Sequence, residues 1–265
     1  MLTDWNKIDK FAKEWLQEAR SKIIASFEST LTITTKSDAN DLVTNMDEEI
    51  ENFFVTNIRN QFPSHEILGE ESIGHEIEQL DGVVWIIDPI DGTMNFVHQK
   101  RNFFISIGIY EDGVGQLGYL YDVVHNELYY GKKGEGVHCN EVKIPPIKDV
   151  PIHEAIVGIS ATWLIENKDT NKGEALIELV KDVRGTRSYG SAALEFSYVA
   201  TGRLDAYISM RLAPWDFAGG KIIIEELGGI VTDLDGKALN LLEKSPVLVT
   251  SSGLHEQIFK SYIKK

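Results

Sequence analysis

The chain has 265 residues, 43% of them hydrophobic and 25% charged, so it can bury a sizeable core as one large domain or two closely joined halves. A formal net charge of -15 makes duplex nucleic acid a poor partner, because affinity there comes largely from Lys and Arg neutralising phosphates. No run of about 18 apolar residues argues for a membrane span, and a single cysteine, Cys139, excludes an internal disulfide framework and a cysteine-rich zinc site.

The N-terminal segment carries charges every few residues and no apolar stretch of a secretory signal, so a cytoplasmic protein is expected. Trp5, Ile8, Ala12, Trp15, Leu16, Ala19 and Ile23 recur at helical spacing and predict an amphipathic helix over about 4–27. A polar stretch follows. Thr44 then caps a second helix with Ile50, Phe53, Phe54 and Ile58 on its apolar stripe, ended by Phe62-Pro63. Residues 83–87 predict a buried strand that stops at Asp88. Strands at 103–110, 116–122 and 127–131, punctuated by glycines and Asn126, suggest an antiparallel meander, with a turn and edge strand over 132–144.

From about residue 146 the pattern changes. A strand is expected at 155–160, helices at 172–183 and 191–200, and a strand at 204–208. Pro214 opens a helix that Gly228-Gly229 ends; a strand at 247–249 and a helix near 253–263 close the chain. With no linker in view, the expectation is a single catalytic unit, 1–265, made of subdomains 1–145 and 146–265.

The strongest local signal is the run from Trp85 to Thr93. A buried strand delivers Asp88 at its end, and Pro89 fixes the backbone so that Asp91 turns back toward the same point. Gly92 and Thr93 follow where a short helix starts, and free N–H groups there form an anion site. Two carboxylates beside a phosphate cradle suit magnesium, which takes a few carboxylates and shares its other positions with water and phosphate oxygens. Taken alone, Asp91-Gly92 is also a common turn pair. Four further acids carry a bland reading beside a functional one. Glu70 and Glu71 form either a solvated pair or a strand end, Asp216 sits in a first helical turn where it complements the dipole, and Asp47 reinforces a helix start. His98 reads as packing, and Glu71 ranks below Glu70 because it points the other way in an extended segment.

Taken together these blocks resemble the inositol monophosphatase family of lithium-sensitive, magnesium-dependent phosphatases. Residues 41–47, Gly69-Glu70-Glu71-Ser72, the Asp88 to Thr93 block with Asn95-Phe96, and Trp215-Asp216 match in order. Residues 118–122, 133–136 and Gly190-Ser191-Ala192-Ala193 add support. The resemblance spans nearly the whole chain. It implies a layered α-β-α-β-α sandwich of the α/β (α+β) class, sugar-phosphatase type, usually a homodimer, hydrolysing small-molecule phosphate esters with two to three Mg2+ ions. Glu70, Asp88 and the Ile90 carbonyl are then expected to hold a first ion, and Asp88, Asp91 and Asp216 a second, with a weaker third near Glu70. Asp47 and Thr93 are expected to activate water, and the Gly92 and Thr93 amides to receive phosphate. Asp91, Asp216 and the Gly190-Ser191-Ala192 turn are expected to meet substrate, with Lys36 near the catalytic loop.

One position departs from the myo-inositol pattern. Where those enzymes carry a glutamate seven residues before the aspartate matching Asp216, this chain has Ser209, with Arg211 nearby. Less negative and more positive charge should ease the approach of substrates with additional phosphates, and Arg184 and Arg187 act in the same direction unless surface acids pair them. Inositol monophosphate with broad specificity is therefore expected; NADP(H) 2'-phosphatase or fructose-1,6-bisphosphatase activity in the same site is the alternative. From another class, a regulatory or interaction protein on a phosphatase scaffold would fit the same fold. A zinc hydrolase is disfavoured by the lack of paired histidines at helical spacing.

Overall fold

A computed structural model of the chain describes residues 3–28, 32–35, 42–71, 77–168 and 170–263. Lys36, Asp41 and Ser72 lie outside the described residues. Asp4 caps α1 (Trp5–Ser26) by accepting the Lys7 N–H at 3.0 Å. β1 (Ile33–Thr35) and β2 (Leu42–Thr44) pair as an antiparallel hairpin, and Thr44 caps α2 (Asn45–Gln61). β3 (Glu66–Gly69) runs parallel to β4 (Val83–Asp91), which leads into α3 (Thr93–Gln99). β5 (Phe104–Glu111), β6 (Val114–Asp122), β7 (Glu127–Lys132), β8 (Gly136–Cys139) and β9 (Val142–Lys143) then add one after another as the expected meander. Together β3 to β9 make a seven-stranded sheet in chain order.

The second half supplies β10 (Ile156–Ile159), α4 (Ala161–Glu166), α5 (Asn171–Asp182), β11 (Gly185–Arg187), α6 (Ala192–Ala200), β12 (Ala206–Leu212), α7 (Pro214–Glu226), β13 (Ile230–Thr232), β14 (Ser245–Thr250) and α8 (Ser252–Ile258). Its five-stranded sheet has the order β11-β10-β12-β14-β13. The pairs β11-β10 and β10-β12 are parallel; β12-β14 and β14-β13 are antiparallel.

Alternating side chains sort these elements into five layers. Val83, Trp85 and Ile87 of β4 face α1 and α2, where Ile8, Trp15, Leu16, Phe54 and Ile58 meet them. Val84 and Ile86 face the other way, toward α6 and α7, whose Phe196, Phe217, Ile223 and Ile224 also pack on Val247 and Val249 of the second sheet. Val157, Ile208 and Leu248 point outward under α5 and α8. The order is helix, sheet, helix, sheet, helix, as the family resemblance implies. α6 and α7 belong to the second half of the chain yet share a core with the first sheet.

Small residues set how deep α7 sits. A Cβ on Gly118 would lie 2.5 Å from the Gly219 carbonyl oxygen, and one on Gly108 would lie 2.7 Å from the Ala218 backbone. Real atoms never approach so closely, so α7 rests on sheet backbone rather than on side chains. That contact lowers the first turn of α7, with Asp216, onto the end of β4.

The register of β4 supplies the other half of the arrangement. Asp88 pairs with Ser106 and Asp91 with Phe104, so three steps on β4 match two on β5. In a regular strand Asp88 and Asp91 would face opposite sides of the sheet; the one-residue bulge between them removes that conflict. Pro89 occupies the bulge, where a residue without an N–H is tolerated. The strand thus runs on to Asp91 instead of stopping at Asp88.

Candidate active site

Carboxylate oxygens of Asp88, Asp91 and Asp216 lie within 4.8 Å of one another. Each is fixed by a separate local device. The Asp88 carboxylate accepts the Ile90 N–H across the bulge at 3.0 Å. Asp91 reaches the start of α6, where it accepts the Ala193 N–H at 2.7 Å, the Ala192 N–H at 3.2 Å and the Ser191 hydroxyl. Asp216 folds back on its own helix and accepts the Ala213 N–H at 2.7 Å.

Glu70 joins them from β3. Its N–H donates to the Ile87 carbonyl at 3.3 Å, which carries the strand pairing one residue past Gly69 and sets Glu70 beside Asp88. After burial, the charge of Glu70 is the largest cause that raises the Asp88 carboxyl. Beneath this segment lies Glu51, fully buried on α2, which accepts the Glu71 N–H at 2.7 Å. Gly69 has no side chain because the Glu51 carboxyl group fills the space: a Cβ there would be 2.4 Å from its carbon.

Asp47 stands across the centre at the start of α2. Its Oδ2 accepts the Thr44 N–H at 2.8 Å and the Thr44 hydroxyl at 2.6 Å. The Thr93 hydroxyl lies 3.1 Å from Asp47 Oδ1 and 3.0 Å from the Ile90 carbonyl oxygen, and can donate to either. Gly92 holds a left-handed φ of 89° directly before α3, against Ser191 and the Gly190 carbonyl, so that only glycine fits without strain.

The electrostatics of this cluster are unfavourable as they stand. Burial, then Glu70, Asp91 and Asp216, push the Asp88 pKa well above the usual carboxylate range. Burial and the neighbouring Asp91 and Glu70 do the same to Asp216. Asp91 rises to about 6 through burial, opposed by its bonds from Ser191, Ala193 and Ala192. Asp47 also rises to about 6, mainly through burial. Hard oxygen donors that crowd together in a buried site fit divalent cations, whose charge removes both the repulsion and the desolvation cost.

From Asp91 and Asp216 a cleft of about 270 Å³ opens over the second sheet, lined in addition by Gly190, Ser191, Ala192, Ser209 and Arg211. Ser209 is buried on β12, while Arg211 is exposed and makes no ion pair among the described residues. Arg184 and Arg187 do not line this cleft; the Arg187 Nη1 donates to the Thr186 carbonyl at 2.8 Å. His98 was expected to pack but is exposed on α3. Lys36 lies outside the described residues. A separate cleft of about 330 Å³ borders residues 144–150 and the end of α6. Its acid, Asp205, is occupied by the Ile156 N–H at 2.7 Å.

Two buried acids escaped the sequence reading. Glu51 shares the apolar stripe of α2 with Asp47, Ile50, Phe54 and Ile58, and an acid on such a stripe was the available signal. Glu195 is the lone charge in the apolar helix α6. Its Oε1 accepts the Tyr189 N–H at 2.9 Å, and its Oε2 has no hydrogen-bond partner among the described residues.

The family model described as the inositol monophosphatase family matches residues 4–264. Inositol-1-monophosphatase of Bacillus subtilis (strain 168) is 54% identical, over 99% of this chain and 98% of the relative. Among solved structures, SaIMPase-II, a staphylococcal IMPase bound to 2'AMP, superposes with a TM-score of 0.89 at 43% identity, covering 97% of this chain and 95% of that one. An IMPase/NADP phosphatase complexed with Mg2+ and phosphate superposes at 0.88 with 31% identity, covering 96% of this chain and 94% of that one.

Proposed function

This chain belongs to the inositol monophosphatase family and is a phosphoric monoester hydrolase that uses divalent metal; from that premise we propose that it is a broad-specificity, Mg2+-dependent inositol monophosphatase that also accepts nucleotide phosphates. The convergence of Asp88, Asp91 and Asp216 within 4.8 Å carries the reading.

In it, Glu70, Asp88 and the Ile90 carbonyl hold one ion, and Asp88, Asp91 and Asp216 a second, with a weaker third near Glu70. Bound Mg2+ supplies the positive charge that the phosphoryl oxygens and the leaving alkoxide need during in-line displacement. The protein supplies position and proton transfer. The Thr93 hydroxyl donates to Asp47 Oδ1 and so offers its own lone pair to the attacking water. Asp47, held by two bonds from Thr44, takes the proton. A carboxylate raised to about 6 is a stronger base than an ordinary one and is still ionised at neutral pH. The Gly92 and Thr93 amides receive the phosphate.

Substrate breadth rests on the cleft. Ser209 in place of a glutamate, beside the exposed Arg211, favours substrates with more than one phosphate. The names of two similar structures, one bound to 2'AMP and one an NADP phosphatase, support nucleotide phosphates as substrates here. A homodimer in the cytoplasm is the family expectation adopted with this reading. Phosphate release from inositol 1-phosphate, fructose 1,6-bisphosphate, 2'-AMP and NADP, each with and without Mg2+, tests it. Magnesium-dependent release from inositol 1-phosphate and at least one nucleotide is expected; hydrolysis of inositol 1-phosphate alone would refute the broad specificity.

A further inference from the structure

α4 is a six-residue helix that contains Trp163, Leu164 and Ile165, yet none of its residues is fully buried. Ile165 is 67% exposed. Trp163 lines the same cleft as Asp91, Asp216 and Arg211. Among the described residues its ring has no aromatic or cationic neighbour, and its Nε1–H has no protein acceptor. The other tryptophans for which ring or indole N–H contacts are seen, Trp15 and Trp85, sit in the aromatic cluster under the first sheet. An indole placed at a polar cleft with no partner of its own is available to a ligand.

Its position follows from topology. Ile159 of β10 pairs with Ile208 of β12, so Ser160 at the end of β10 lies next to Ser209. Ser160 caps α4 by accepting the Thr162 N–H at 3.3 Å, and the helix starts at the cleft wall. An exposed arginine, four serines and an indole with no partner among the described residues therefore line the cleft that opens from the metal-binding acids. Hydroxyl groups alone would serve a polyol; they give no use to a flat apolar face.

We propose that Trp163 is a specificity-determining residue, a stacking platform that gives this cleft a preference for phosphate monoesters carrying an aromatic base, with Arg211 available to a second phosphate. The proposal rests on the cleft being the substrate site of the phosphatase described above. Stacking on an aromatic side chain tolerates any base, because every base has a π-face. It therefore selects nucleoside phosphates as a class over polyol phosphates, and not one nucleoside over another.

The test compares kcat/KM for 2'-AMP and inositol 1-phosphate in the wild type, Trp163→Ala and Trp163→Phe. The ratio of the two values should fall at least about five-fold in Trp163→Ala, the low end of what one lost base–aromatic stack gives. Trp163→Phe should recover most of it. Equal losses for both esters, as removal of a subunit contact would cause, would overturn the proposal, as would an unchanged ratio. Binding gives an independent readout: 2'-AMP should quench tryptophan fluorescence in the wild type and not in Trp163→Phe. Should the wild type release no phosphate from any ester, the phosphatase reading fails, while the quench still decides the stacking proposal.

Discussion

Ser191 and Asp91 stand one hundred residues apart in the chain and meet through a hydrogen bond from the serine hydroxyl to the aspartate carboxylate. The same carboxylate accepts two N–H groups from the first turn of α6. An acid delivered by the first sheet is thus aimed by a helix from the second half of the chain.

Ser191→Ala removes one of these three donors and the α6 cap together, since Ser191 Oγ also accepts the Leu194 N–H at 3.2 Å. Outer partners of metal ligands typically contribute about 10- to 100-fold in metal affinity or activity. The Mg2+ concentration for half-maximal phosphate release should rise about ten-fold. A magnesium titration that superposes on the wild type would contradict this.

Asp47→Asn retains size and loses the proton acceptor. Loss of a general base costs about 10²- to 10⁴-fold in rate, so kcat should fall by at least about 100-fold. Magnesium binding, followed calorimetrically, should persist, because Asp47 is not among the acids assigned to the ions. A variant that keeps a tenth or more of wild-type kcat would remove Asp47 from the reaction.

Metal removal should lower thermal stability. Four buried or partly buried acids converge and raise one another's pKa values, and bound Mg2+ would offset the repulsion. At a metal concentration 100 times its Kd, binding stabilises by about 2.7 kcal/mol, which is about 5–10 °C in Tm for a chain of this size. Identical melting curves in EDTA and in millimolar Mg2+ would count against the cluster as a metal site.

Gly118→Ala tests the seating of α7. The added methyl meets the Gly219 carbonyl oxygen at 2.5 Å, so the helix must move. Overpacking of this kind costs about 1–3 kcal/mol. Tm should drop by several degrees, and the Mg2+ requirement should rise with the displacement of Asp216. An Ala variant with unchanged Tm and unchanged Mg2+ dependence would show that α7 is not seated through this contact.

Glu195 carries a pH signature. Burial raises its pKa to about 7, from an ordinary 4.5. A carboxyl group raised on folding favours the native state when protonated, so its contribution is complete below about pH 4.5 and is lost as pH rises through about 7. Glu195→Gln keeps an acceptor for the Tyr189 N–H and cannot ionise. It should raise Tm at pH 8, with an upper limit of about 3 kcal/mol, and leave Tm near that of the wild type at pH 5. Equal shifts at both pH values would show that Glu195 does not titrate in this range.

Much of this architecture is legible in the sequence. The helix at 4–27 and the strands from 83 to 131 announce themselves by periodicity, and the run from Asp88 to Thr93 by acids placed at the end of a buried strand. The convergence of the acids is not local. Asp88 and Asp91 share a side only through a bulge whose extra residue shows in the pairing with Ser106 and Phe104. Asp216 arrives only because Gly108 and Gly118, far upstream, leave room for α7. The hairpin of β1 and β2 and the strands β11 and β13 have three residues each, too few for a period to register. Glu51, Glu195 and Trp163 escape a reading of the sequence, because only tertiary packing decides that the two acids are buried and that the indole borders the cleft.

Phosphate release from inositol 1-phosphate by the wild type and by Asp88→Asn, over a Mg2+ titration from zero to several millimolar, tests the central claim most directly. The account predicts no release without Mg2+, saturable release by the wild type, and loss of at least about 100-fold in Asp88→Asn at every concentration. Release by the wild type in EDTA, or wild-type rates from folded Asp88→Asn, would contradict it.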